Sequence, residues 1–216
     1  MKYLIMGFGK FGRLAFDRLK ERFPDRPLLV VEREEDLASL GTPPLVLTHK
    51  GDAVSFLLEA PGVEDRDIVI PMVPFHLAAA YLCARLSDME PITLPKELAD
   101  QVPNPFPLDD SNLCCSLAHF LCPDDCPEGD YCTVTGERRD KPLYGILEEL
   151  DAPGFQVVVQ RSYQILPGVG GYRMDELRNL PGMVTSRRCI VATSCKCHGI
   201  LTGIGNPIEP PNAKTP

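Results

Sequence analysis

The chain has 216 residues, enough for one large α/β domain with an annex and for a core that needs no staples. Its net charge of −8 excludes a general nucleic-acid surface, and no basic run overturns that reading. No apolar run approaches the roughly eighteen residues of a membrane span, so no direct membrane insertion is expected. The short apolar start runs into Gly-x-Gly rather than a cleavage site, so the cytoplasm is the expected location.

The first predicted strand is Tyr3 to Met6, a short apolar run of the kind a buried parallel strand shows. Gly7-Phe8-Gly9-Lys10-Phe11-Gly12 follows, then a helix with Ala15, Phe16, Leu19 and Phe23 at helical spacing. Strand, glycine turn and helix are the context in which Gly-x-Gly-x-x-Gly reads as a dinucleotide-binding fingerprint. Gly7 permits the tight turn, Gly9 lets the backbone approach a pyrophosphate, and Gly12 lets the helix pack closely on the strand. The helix start at Lys10 and Phe11 offers free N–H groups and a positive dipole end to the phosphates.

The second strand ends at Glu32, about twenty residues beyond Gly12, where a carboxylate accepts hydrogen bonds from a ribose diol and repels a 2′-phosphate. NAD(H) is therefore expected over NADP(H), with the adjoining Arg33 softening the preference. A third strand in "PLVLTH" leads to Gly51-Asp52-Ala53 and a helix, for which Asp52 is placed as N-cap. A fourth strand is expected from Asp67 to Ile70.

The opening glycine turn, the acid ending strand two, "GDA" after strand three and "LLEAPGVEDRDIVI" together resemble the RCK (TrkA-N type) domain over residues 2–86. The resemblance implies a nucleotide-binding domain with Gly7, Gly9 and Gly12 at the pyrophosphate, Glu32 at the adenosine ribose and Asp52 near the adenine edge. It also implies one reading of function, an NAD(H)-binding regulatory subunit of a potassium transport system, docking on a membrane transport protein. The next stretch, "PMVPFHLAAAYLCARL", departs from that family and is more similar to dehydrogenases. His76 is there either an acid–base residue at the strand edge or a histidine near a helix start with no catalytic task.

The second half is rich in proline and cysteine. "PITL" is expected to add a short strand, and "DDSNLCCSLAHFL" a helix capped by Asp110 or Ser111, with Leu113, Leu117, Phe120 and Leu121 along one side. Strands are predicted at Phe155–Arg161 and Arg188–Ser194, with a glycine loop and a helix from Met174 to Leu180 between them. Gly168 to Gly171 reads as a turn or as a second anion cradle. The expected fold class is α/β: a Rossmann-like, doubly wound, mostly parallel sheet with a Cys-rich insertion. Its divisions are a dinucleotide-binding core over 1–105, the insertion over 106–152, α/β units extending the same sheet over 153–205, and a disordered tail over 206–216.

Nine cysteines, an odd number, speak against a disulfide framework in a chain expected in the cytoplasm. Cys83, Cys114, Cys115 and Cys189 sit in apolar contexts that suit core residues. Cys122, Cys126 and Cys132 lie among Pro, Asp, Glu and Gly, where converging thiolates suit a zinc ion or an Fe–S cluster. The fourth ligand is then Cys195 or Cys197 from "SCKCHG", ahead of His198, and a redox-sensing thiol pair is the other option. The expected function is an NAD(H)-binding protein with a Cys-ligated metal or Fe–S site, acting in redox or nucleotide sensing or in electron transfer. Alternatives are the transport-regulatory subunit and an NAD-dependent dehydrogenase. A redox partner or a membrane transport protein is the partner class implied, no nucleic acid is expected, and a homodimer stays open.

Overall fold

The computed structural model describes residues 1–34, 37, 40 and 45–206. The chain runs β1 (Tyr3–Met6), α1 (Lys10–Arg22), β2 (Leu28–Glu32), β3 (Val46–Lys50), α2 (Ala53–Glu59), β4 (Ile68–Pro71) and α3 (Leu77–Arg85). After these come the short strands β5 (Glu90–Pro91) and β6 (Phe106–Pro107), then β7 (Asn112–Ser116), α4 (Leu143–Leu147) and β8 (Gln156–Arg161). A hairpin of β9 (Tyr163–Leu166) and β10 (Val169–Arg173), helix α5 (Met174–Met183), β11 (Arg188–Ser194) and β12 (His198–Gly205) complete it.

The fold is mixed α/β with two mixed sheets. The first has the order β3-β2-β1-β4-β10-β9, in which β1, β2, β3 and β4 are parallel and β10 is antiparallel to β4. The second has the order β6-β7-β12-β11-β8, with β5 also pairing β12. Within it β8 and β11 are parallel and the other pairings antiparallel. The expectation that 153–205 extends one mostly parallel sheet is therefore corrected. That segment divides, with β9 and β10 closing the first sheet while β8, β11 and β12 build the second.

Period-two alternation explains the layering. Tyr3 and Ile5 of β1 face α1 through Ala15, Phe16 and Leu19. Leu4 and Met6 face the opposite side, in a core shared with Phe56, Leu82 and Leu177 of α2, α3 and α5. The same core takes in Val158, Cys189, Val191 and Ile204 of the second sheet. Ile190, Ala192 and Leu201 point to that sheet's other face and pack with Leu143 and Leu147 of α4. Among the described residues α2, α3 and α5 are thus sandwiched between the two sheets, with α1 outside the first and α4 and a 3-10 turn at Lys96–Gln101 outside the second.

The helix expected in "DDSNLCCSLAHFL" is instead strand β7. Leu113 and Cys115 are buried while Asn112, Cys114 and Ser116 are half-buried, a period of two. The strand is held by β12 on one side and β6 on the other. The supposed helical stripe ends at Leu121, which is 98% exposed, so the helix had no buried face to gain. Cys83, Cys115 and Cys189 do behave as core thiols, with burial raising their pKa values to about 11, 12 and 12. Gly168 (φ 72) makes the β9–β10 turn rather than opening an anion cradle. The tail expected at 206–216 lies outside the described residues except for Asn206, whose N–H donates to Arg187 O.

Candidate functional site

The four parallel strands end on one edge, and the turns beyond them enclose a cleft of about 580 Å³. Gly7, Gly9 and Phe11 line it after β1, Glu32 to Glu34 after β2, Gly51 to Ala53 after β3, and Met72 to Phe75 after β4. The cleft lies beside the β1/β4 boundary, where the strand order reverses and open α/β sheets hold their ligands.

The three glycines have separate physical reasons. Gly7 has φ 101, and a Cβ there would stand 2.7 Å from Met72 O. A Cβ on Gly12 would collide with the carbonyl oxygen of Gly7, so helix and strand meet at a distance no side chain allows. Gly9 differs: it lines the cleft, and a Cβ there meets nothing within 4 Å. Gly9 is also the N-cap of α1, whose first turn carries no acidic side chain among the described residues. Lys10 and Phe11 open that helix, with the Lys10 ammonium 5.3 Å from the Phe11 ring centroid.

Glu32 closes the turn from below. Its Oε2 accepts from Phe8 N at 2.6 Å, and its Oε1 accepts from Arg33 N at 2.7 Å and Glu34 N at 3.1 Å. Burial raises its pKa, but these backbone hydrogen bonds and the charge of Arg33 bring the carboxyl below its ordinary range. Glu32 is thus an ionised acceptor on the cleft wall that also ties β2 to the glycine turn. Asp52 caps α2, accepting from Ser55 N at 2.9 Å, and lines the same cleft. Asp52→Ala should cost about 1 kcal/mol in urea unfolding, while Asp52→Ser keeps the cap and isolates any contribution of the carboxylate to nucleotide affinity. The sequence did not single out Phe75, 43% exposed across the cleft from Phe11, which is 55% exposed. The only sequence signal for Phe75 is an aromatic in a turn after a strand.

His76 is buried at the start of α3 with both ring nitrogens engaged, Nδ1 2.8 Å from Thr202 Oγ1 and Nε2 2.7 Å from Thr193 Oγ1. Desolvation lowers its pKa to about 3. It is a neutral junction between α3 and the second sheet, and it is not among the residues lining the cleft.

The cysteine-rich loop folds back onto the β11–β12 hairpin. Cys122, Cys132 and Cys197 line a cavity of about 220 Å³ with Arg139. Cys126, Cys195 and Cys197 line a neighbouring one of about 190 Å³ with Glu128 and His198. The five predicted thiols are thus gathered, but over two cavities that share Cys197. Among the described residues, the donor group whose atoms all lie within 4.8 Å of one another is Glu128, Cys195 and His198. Cys122, Cys126 and Cys132 are outside that group, and Glu128 was not anticipated. Lys196 pairs with Asp130 at 3.2 Å and does not line the glycine-turn cleft.

The thiols differ chemically. The Cys132 sulfur accepts from Thr135 N–H, the Thr135 hydroxyl and Val134 N–H, which lower its pKa to about 7. Burial, with Glu128 adding to it, pushes the Cys195 thiol up to about 12, and burial takes Cys197 to about 11.

Residues 75–206, from the rim of the cleft to the end of β12, match the family AF_1314_C, described as "Uncharacterized protein, C-terminal domain". The chain belongs to that family. It is also similar to an Archaeoglobus fulgidus protein described as "Uncharacterized protein", 24% identical over 220 residues, covering 93% of this chain and 98% of that one. No solved structure matches. No helix among the described residues is long and apolar enough to cross a membrane.

Proposed function

We propose that the protein binds NAD(H) in the glycine-turn cleft through a Rossmann-like half-sheet, and that it acts as a redox- or nucleotide-sensing unit with a metal on its cysteine-rich face. The observation that carries the reading is Gly9, which lines the cleft and has open space where a Cβ would stand. The residues present fit a dinucleotide. Gly7, Gly9 and the first turn of α1 would hold the pyrophosphate, Glu32 would accept from the ribose hydroxyls, and Asp52 stands at the far wall. The strand order β3-β2-β1-β4 supports the same placement. A dehydrogenase is the weaker reading, because His76 is locked between two threonines and turned away from the cleft.

Isothermal calorimetry with NAD+, NADH, NADP+ and ADP tests the proposal, with micromolar or tighter NAD(H) binding expected. Glu32→Ala should weaken NAD(H) and narrow its advantage over NADP(H) by about tenfold, equivalent to about 1.4 kcal/mol. The ratio is the informative quantity. Removing the Glu32–Phe8 hydrogen bond also loosens the turn, which weakens both dinucleotides alike. Tighter binding of NADP(H) than NAD(H) by the wild type would show that Glu32 is not the ribose acceptor.

A further inference from the structure

The turn between β11 and β12 is Cys195-Lys196-Cys197, and His198 opens β12. It is fixed by Cys195 N donating to His198 O at 3.0 Å, and by Ser194 Oγ donating to the carbonyls of Cys195 and His198 at 2.8 and 3.1 Å. His198 N donates to Cys195 Sγ at 3.4 Å, and that sulfur is 3.9 Å from His198 Nδ1. The cysteine-rich loop delivers Glu128 to the same point, with φ 51, a conformation that a residue with a side chain adopts at a cost. Cys126 lines the cavity beside them, its carbonyl held by Gln164 Nε2 at 2.8 Å.

We propose that Glu128, Cys195 and His198, with the Cys126 thiolate as fourth ligand, bind one zinc-class divalent cation. The proposal rests on the metal reading above and replaces its donor set. Zinc takes sulfur at about 2.3 Å and imidazole nitrogen or carboxylate oxygen at about 2.0–2.2 Å, so tetrahedral ligands stand between about 3 and 4 Å apart. Glu128, Cys195 and His198 already lie within 4.8 Å and close to that geometry by side-chain rotation, and the Cys126 thiol, which lines the same cavity outside that group, turns in to complete it. The mixture of sulfur, nitrogen and oxygen decides the metal. An Fe–S cluster takes four thiolates, or two thiolates and two histidines, and calcium and magnesium take oxygen. Two thiolates and a carboxylate leave zinc with one net negative charge, and the Arg139 guanidinium beside Cys126 offsets it. Four protein ligands close the coordination sphere, so the ion is structural. It pins the loop to the hairpin where apolar burial does not: Leu121, Tyr131 and Val134 are all exposed.

The full-length protein is stripped of metal and titrated with zinc against a chromophoric chelator, and with cobalt for its thiolate charge-transfer band. One equivalent of zinc is expected. Cys195→Ser and His198→Ala should weaken binding by at least about 100-fold, the upper end for disturbing even an outer-shell partner. Glu128→Gln should weaken it by about tenfold. Cys122→Ser and Cys132→Ser should leave it unchanged. Far-ultraviolet circular dichroism identifies any variant that has lost its fold, and Glu128→Gln, which removes only a charge, is the fallback in that case. Zinc lost in Cys122→Ser and Cys132→Ser but kept in His198→Ala would overturn this donor set while leaving a metal on the thiols. Failure of both zinc and cobalt to bind the wild type would overturn the metal reading as well.

Discussion

Gly9→Val should abolish NAD(H) binding in calorimetry and leave the protein folded. The backbone at Gly9 has φ −66 and ψ −162, extended geometry that any residue adopts, and a Cβ there meets no protein atom within 4 Å. The Cβ therefore meets no steric conflict, and the cost should be about 1 kcal/mol, from replacing glycine by valine at the N-cap of α1. The branched side chain instead fills the space that the pyrophosphate would occupy. Gly12→Ala should do the reverse in its first effect. Its Cβ collides with the Gly7 carbonyl, and backbone cannot rotate aside as a side chain can. A loss of about 2–3 kcal/mol is expected from such overpacking, or about 5–10 °C in melting temperature for a chain of this size. Finding wild-type NAD(H) affinity in a folded Gly9→Val protein would remove the dinucleotide reading of the turn. Finding wild-type stability in Gly12→Ala would show that helix and strand are further apart than described.

The legibility of this chain follows from how local each signal is. Glu32, Gly7, Gly9 and Gly12 lie on short connections between neighbouring elements, so spacing alone placed them on one edge. Asp52 as N-cap was likewise a statement about four consecutive residues. The second sheet was not legible, because β7 pairs with β12 across more than eighty residues and nothing local to "SNLCCS" encodes that partner. A run with cysteines and a serine at its centre satisfies both periods, and only the partner strand decides between them. The thiols show the same division. Their Pro, Asp and Gly neighbours spoke against a core role for Cys122, Cys126 and Cys132. Which donors converge depends on how the loop folds back, and Glu128 reaches the hairpin through a positive φ that its residue type does not advertise. The fold-back has its own anchor, Arg18 of α1, whose Nη1 donates to Asp124 O at 2.7 Å and Pro167 O at 2.8 Å. The helix that opens at the glycine turn and the loop that carries the thiols are thus joined through one guanidinium.

His76 should make the fold acid-labile well above the carboxylate range. Its hydrogen bonds have one consistent direction. Asn112 Nδ2 donates to Asp109, which leaves Asn112 Oδ1 to accept from the Thr202 hydroxyl at 2.6 Å. Thr202 Oγ1 must then accept from His76 Nδ1–H, and Nε2 accepts from the Thr193 hydroxyl. The ring is neutral and fully enclosed, and burial takes its pKa from 6.5 to about 3. In the unfolded chain the imidazole takes up a proton once pH falls below about 6.5. Between that value and about 3 the unfolded state therefore binds one more proton than the native state. Stability is full above about pH 6.5 and falls with pH through that window, by about 2 kcal/mol between pH 7 and 5 and about 3 kcal/mol by pH 4. Other groups titrate in the same range, so the measurement compares urea unfolding of wild type and His76→Gln at each pH. Glutamine offers a donor and an acceptor but no proton site, and should cost about 1 kcal/mol at pH 7. As the pH falls from 7 to 5 the wild type should lose about 2 kcal/mol more than the variant. Parallel curves for the two proteins would mean that His76 titrates normally and that its enclosure by Thr193 and Thr202 is not maintained in solution.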